Sequence, residues 1–218
     1  MDQLSPHPSR EEGEFLRKMI LMHRPNTTIE IGLAFGISAL FMCDALREIN
    51  PDFRHYIIDP NQSNEYQHAG LNNLKESGFA DNIVFFEEPS EIALPKILDQ
   101  GHSFVLAFLD GWHTFDHTLI DFFYVNRMLK AGGLVAFDDS TWGSVGRVID
   151  HVLSYPCFEF EDAMPSVSLP KSVIRKMGRL SILKVFNSYL PPVLRYSRCV
   201  VLRKCSLDER PYHWHKFF

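Results

Sequence analysis

The sequence is poor in cysteine, and its four cysteines are not spaced to share a metal. Cys43, Cys157, Cys199 and Cys205 are scattered through apolar stretches, and no C-x-x-C pair occurs. A zinc site or a disulfide framework is therefore not expected; reduced, buried thiols of a cytoplasmic protein are. No segment approaches the roughly 18–20 uninterrupted apolar residues of a membrane-crossing helix, so a membrane role is not expected. Met1 to Glu14 holds acids and prolines in place of a basic stretch followed by an apolar one, and a secretory signal is not expected either. No internal repeat or low-complexity tract is present. A positive excess is also missing: the net charge is −5, which disfavours a general nucleic-acid binder. Acidic residues are absent from one region. Between Ala163 and Leu207 there is no Asp or Glu, but there are nine Lys or Arg.

What is present reads as one α/β domain spanning 1–218, with 45% apolar and 22% charged residues. Strand and helix signals alternate, the pattern of a doubly wound sheet. Strands are predicted at 27–32, 55–59, 82–86, 104–110, 134–138, 157–160 and 198–203. Helices are predicted at 11–23, 38–49, 66–77, 92–98 (irregular, because of Pro95), 115–129 and 145–153. Phe104 to Asp110 is almost continuously apolar, as in a central strand covered on both faces. The segment at about 163–196 is an insertion before the last strand. Its stretch 171–189 is readable as a basic amphipathic helix. A lid giving a cationic wall for an acidic acceptor, a membrane-surface or partner helix, and a solvated or homodimer-forming helix all fit it. The alternation of His with aromatics in Tyr212-His213-Trp214-His215 reads as an exposed or interface-packed tail rather than a metal site.

In open α/β sheets, ligands bind beyond the carboxyl ends of the strands. The first strand here runs into Glu30-Ile31-Gly32-Leu33-Ala34-Phe35-Gly36-Ile37-Ser38. Gly32 and Gly36 allow a sharp turn and close backbone approach to a ligand, and the following helix presents free N–H groups suited to an anion. Asp59 ends the second strand, where an acid is placed to accept ribose hydroxyls. The spacing is G-x-x-x-G, not the G-x-G-x-x-G of dinucleotide dehydrogenases, which favours adenosylmethionine over a nicotinamide cofactor.

Three acids fall at the ends of two consecutive strands: Asp110, then Asp138 and Asp139. Strands joined by a right-handed crossover are commonly neighbours, so these carboxylates are expected to converge. Repulsion among them is relieved by neutralising one or by an oxygen-liganded divalent cation such as Mg²⁺; helix capping and solvation is the plainer alternative. His113, in Asp110-Gly111-Trp112-His113, is a candidate general base, substrate contact or further ligand, or a structural residue. Trp112 and Trp142 flank the same mouth.

The run Ile29-Glu30-Ile31-Gly32-x-x-x-Gly36-x-Ser38 resembles the adenosylmethionine-binding motif of class I methyltransferases. The stretch LDGWHTFDHTLIDFFYVNRMLKAGGLVAFDD is similar to the second half of that fold. Within the class, the chain resembles the catechol-type metal-dependent O-methyltransferases and, through its Asp-Gly-x-His stretch, the macrocin O-methyltransferase group. The resemblance implies a Rossmann-like fold: a mostly parallel seven-stranded sheet whose last strand is antiparallel. It implies that Glu30, Gly32, Gly36 and Ser38 hold the methionine part of the cofactor, that Asp59 binds the ribose, and that Glu88 and Ser90 lie near the adenine. It implies that Asp110, Asp138 and Asp139 hold a divalent metal, with Asp110 also bordering the cofactor. No lysine follows Asp110 where catechol-type enzymes place their base, and His113 is the nearest substitute. The expected activity is metal-assisted O-methylation of a small hydroxylated substrate, sugar or catechol-like. A non-catalytic binding protein on the same fold and a nicotinamide-dependent oxidoreductase are the rival readings.

Overall fold

A computed structural model describes residues 10–165 and 197–215; most of the basic insertion lies outside the described residues. Helix α1 (Arg10–His23) is followed by β1 (Thr27–Ile31), α2 (Ile37–Ile49), β2 (Arg54–Ile58), α3 (Ala69–Glu76), β3 (Ile83–Phe86) and α4 (Ser90–Asp99). Then come β4 (Phe104–Leu109), α5 (Phe115–Met128), β5 (Leu129–Phe137), α6 (Gly143–Leu153), β6 (Phe158–Pro165) and β7 (Ser197–Lys204). The strands form one seven-stranded sheet in the order β3-β2-β1-β4-β5-β7-β6. Strands β1 to β5 pair in parallel, and β7 runs antiparallel to both β5 and β6. The doubly wound architecture and the antiparallel last strand are those expected from the sequence. No helix among the described residues is long and apolar enough to cross a membrane.

Alternation along the strands builds two cores. Ile29 and Ile31 of β1, with Ala107 and Leu109 of β4 and Val135 and Phe137 of β5, face α4, α5 and α6. Ile57, Leu106, Phe108, Leu134 and Ala136 face α1, α2 and α3. The period of two thus covers both faces.

Several predicted elements differ in extent or regularity. Helix α3 begins at Ala69, not Tyr66, because Gln67 and His68 sit at φ 50° and 60°, in the left-handed region that breaks an α-helix. Helix α4 is continuous over ten residues despite Pro95. The carbonyl of Glu91 that loses its donor lies at an exposed position, while Ala93, Leu94 and Ile97 are buried. Strand β5 begins at Leu129, not Leu134: Phe104 pairs with Leu129 and Leu106 with Leu134, so the intervening residues bulge outward.

Candidate active site

The sheet order reverses between β1 and β4, since β1 leads to β2 on one side while β4 flanks it on the other. The crevice at such a reversal is where open α/β sheets take ligands. Gly32 leaves β1 at φ 92°, and a Cβ built there would lie 2.0 Å from the Asp110 carbonyl oxygen. Only glycine permits this approach of the two strand ends. Gly36 turns at φ 77° directly before α2.

Asp59 braces the loop from the β2 side. Its Oδ2 accepts from the backbone N–H groups of Leu33 (3.0 Å) and Ala34 (2.8 Å) and from Gln62 Nε2 (3.0 Å), and its Oδ1 accepts from Asn61 N–H (2.8 Å). Oδ1 therefore retains acceptor capacity, while Oδ2 is fully occupied. Glu30 is fully buried beneath the loop, with Ser38 donating to one carboxylate oxygen and His55 at the other. Glu30 and Ser38 thus meet each other, and their polar atoms are turned inward.

Glu88 and Ser90 stand at the β3–α4 corner. Glu88 pairs with Lys96, and Ser90 begins α4 beside the buried Asp121 of α5. Burial raises the Asp121 carboxyl to about 6. The same corner is tied to the loop after β2 by Glu87, whose Oε1 accepts from Ser63 N–H at 2.6 Å.

The acids after β4 and β5 do converge. Backbone bonds from Asp110 N–H to the Ile31 carbonyl (2.9 Å) and from Asp138 N–H to the Leu109 carbonyl (3.0 Å) extend the parallel ladders. Donor atoms of Asp110, His113 and Asp138 all lie within 4.8 Å of one another. His113 Nε2 is 3.4 Å from Asp110 Oδ1 and 3.5 Å from Asp139 Oδ2. Asp139, at φ 45°, approaches the group through His113 rather than joining the closest three. Two buried atoms here, Asp138 Oδ1 and His113 Nε2, have no hydrogen-bond partner, an arrangement that costs free energy unless a ligand completes it. Burial, then the charge of Asp138, push the Asp110 carboxyl well above the usual carboxylate range. Burial and Asp138 also raise Asp139, against the lowering effect of His113 and Arg198.

A fourth carboxyl, which the strand-end pattern does not reveal, joins the group. Glu12 of α1 is fully buried, feels the charges of Asp138 and Asp110, and has Arg198 Nη2 of β7 at 4.0 Å. Burial, with Asp138 and Asp110, raises its carboxyl to about 10. Its signal was helical phase: Glu12 falls in register with the buried Leu16, Met19 and Ile20. Around the mouth, Trp142 packs against His113 with ring centroids 5.3 Å apart, and Trp112 packs on His117 at 4.7 Å. The His-aromatic tail lies elsewhere: Trp214 meets Tyr155 edge to face, with ring centroids 5.3 Å apart.

A family model described as a methyltransferase domain matches residues 29–140, from β1 to just past Asp139. Caffeoyl-CoA O-methyltransferase 2 of Petunia hybrida is 32% identical over 145 residues, which are 63% of this chain and 55% of that protein. Caffeoyl-CoA O-methyltransferase of Petroselinum crispum is 31% identical over 150 residues, 65% of this chain and 58% of that one. The chain thus spans little more than half the length of these plant relatives. Among solved structures, the O-methyltransferase from Bacillus cereus in complex with SAH superposes with a TM-score of 0.65 at 12% identity, covering 91% of this chain and 82% of that one. TomG from Streptomyces achromogenes, solved with SAM, gives 0.58 at 18% identity over 91% and 81%. At these identities the structural likeness is one of fold.

Proposed function

Because the chain belongs to the methyltransferase-domain family, we propose that it is an adenosylmethionine-dependent O-methyltransferase whose acceptor is a small polyhydroxylated molecule bound at a divalent cation. The single observation that carries this reading is the convergence of Asp110, His113 and Asp138 around buried atoms without partners, beside a glycine loop. The donor set fits a cation: carboxylate oxygens suit Mg²⁺ or Mn²⁺, and burial first, then the charge of Asp138, raises the Asp110 and Asp139 carboxyls.

Asp110 and Asp138 would hold the cation in this reading, with Asp139 as the next carboxylate in reach. When bound, such a cation lowers the pKa of a coordinated hydroxyl and fixes its position. Adenosylmethionine supplies the electrophilic methyl group. The loop 32–36 takes the amino-acid end of the cofactor on its backbone, Asp59 Oδ1 accepts a ribose hydroxyl, and the Glu88–Ser90 corner borders the adenine. His113 Nε2 accepts the proton of the acceptor hydroxyl, and the nearby Asp110 and Asp139 carboxylates stabilise the resulting imidazolium. Trp142, packed on the His113 ring, offers an apolar wall for the acceptor. Holding both reactants aligned contributes on the order of 7–11 kcal/mol when the alignment is good. A second reading, His113 as a ligand, is favoured by its place among the three closest donors. It predicts that His113→Ala weakens Mn²⁺ binding, whereas loss of a base alone leaves that affinity intact.

The test is a methyl-transfer assay across vicinal diols, sugars and catechols together. Transfer to one of these classes with Mg²⁺ is expected, with loss of turnover but not of adenosylhomocysteine binding in EDTA. Full turnover in EDTA removes the cation from the mechanism. Cofactor binding without transfer to any hydroxyl supports a non-catalytic protein instead.

A further inference from the structure

Three polar side chains interrupt an apolar face of the sheet. Thr28 pairs with His55 and Leu106 across the ladders, and Glu30 with Ile57 and Phe108. The pleat therefore turns Thr28, Glu30 and His55 to the face where Ile57, Leu106 and Phe108 pack against α1, α2 and α3. All three are fully buried. His55 joins the other two: its Nδ1 lies 2.8 Å from Thr28 Oγ1, and its Nε2 lies 2.9 Å from Glu30 Oε2. The remaining oxygen of Glu30 accepts the Ser38 hydroxyl.

Such a buried chain is costly unless every member is satisfied, and apolar residues of similar volume would pack here without that condition. What the chain provides is position. Glu30 stands two residues before Gly32, and Ser38 is the second residue of α2. Their hydrogen bond closes the glycine loop at its base. His55, from the neighbouring strand, keeps Glu30 turned toward Ser38.

We infer that His55 is a positioning residue for the cofactor loop, holding Glu30 against Ser38 so that residues 32–36 keep the shape that receives the amino-acid end of adenosylmethionine. The inference rests on the cofactor reading above. His55 is closed off from the crevice, so it acts on affinity and not on the methyl-transfer step.

Calorimetric titration of the full chain with adenosylhomocysteine tests it. His55→Leu leaves a Glu30 oxygen without its partner and is expected to weaken binding about tenfold or more. His55→Gln offers an amide N–H toward Glu30 and is expected to recover affinity to within about threefold of the parent. Thr28→Val keeps the ring but removes its anchor, and is expected to fall between the two; it decides the matter if His55→Leu does not fold. Folded His55→Leu or Thr28→Val protein with parental affinity overturns the inference, even if its melting temperature is lower, and leaves the methyltransferase reading standing. Absence of binding by the parent chain overturns the cofactor reading and this inference with it.

Discussion

Asp138→Asn is expected to lower methyl transfer by roughly a hundred- to a thousandfold, the scale set by removing one preorganised electrostatic group from a reacting centre. The same change is expected to raise thermal stability in EDTA. The two effects have one origin. Asp138 contributes to the raised carboxyls of Glu12, Asp110 and Asp139, so in the absence of a cation its charge opposes the folded state. Asparagine keeps the shape and the backbone bond to the Leu109 carbonyl while removing the charge. A gain on the order of 1–2 kcal/mol is expected, the usual size of the trade between stability and function at a strained site. Adenosylhomocysteine affinity should change little, because the residue borders the acceptor side. Unaltered turnover, or a loss of stability in EDTA, contradicts this account of Asp138.

Gly32→Ala is expected to destabilise the chain by roughly 2–5 kcal/mol, combining a left-handed backbone with overpacking. Its methyl carbon has no room: the built Cβ meets the Asp110 carbonyl oxygen at 2.0 Å and its carbon at 2.8 Å, both backbone atoms. Relief requires β1 and β4 to part at the point where the acidic cluster begins, so turnover should fall together with stability. Gly78→Ala is the control. It has a similar φ, 79°, but nothing lies within 4 Å of its built Cβ. It should carry the conformational cost alone, about 1 kcal/mol. Urea unfolding measures both. Equal losses at the two positions contradict the idea that crowding against Asp110 is what demands glycine.

The strand-to-strand logic could be read from the chain because it depends on local pattern. Val and Ile alternation, the Gly32–Gly36 turn and the acids at strand ends are contiguous features, and a crossover rule makes β4 and β5 neighbours. The convergence of Asp110 with Asp138 follows from those alone. Glu12 and Arg198 do not, because the docking of α1 against β7 is set by packing between segments distant in sequence. His55 is hidden in the sequence for a related reason. A histidine in a short apolar strand looks like any buried residue until the register sets it beside Thr28 and two residues from Glu30. The direction in which Asp59 and Glu30 point was also outside what spacing reports: both carboxylates brace the loop through the protein itself. Helix α4 differed because propensity weighs Pro95 alone, whereas three buried neighbours hold the helix to the sheet. The predicted basic helix at 171–189 lies outside the described residues, and the cationic-wall reading of it rests on sequence alone.

The most direct test is anomalous diffraction from crystals of the chain grown with Mn²⁺ and adenosylhomocysteine. A single strong manganese peak in contact with carboxylate oxygens of Asp110 and Asp138, lost in Asp138→Asn, is the result expected. Ordered nucleoside beside a cluster that takes no manganese at saturating concentration, or manganese bound away from both aspartates, would contradict it.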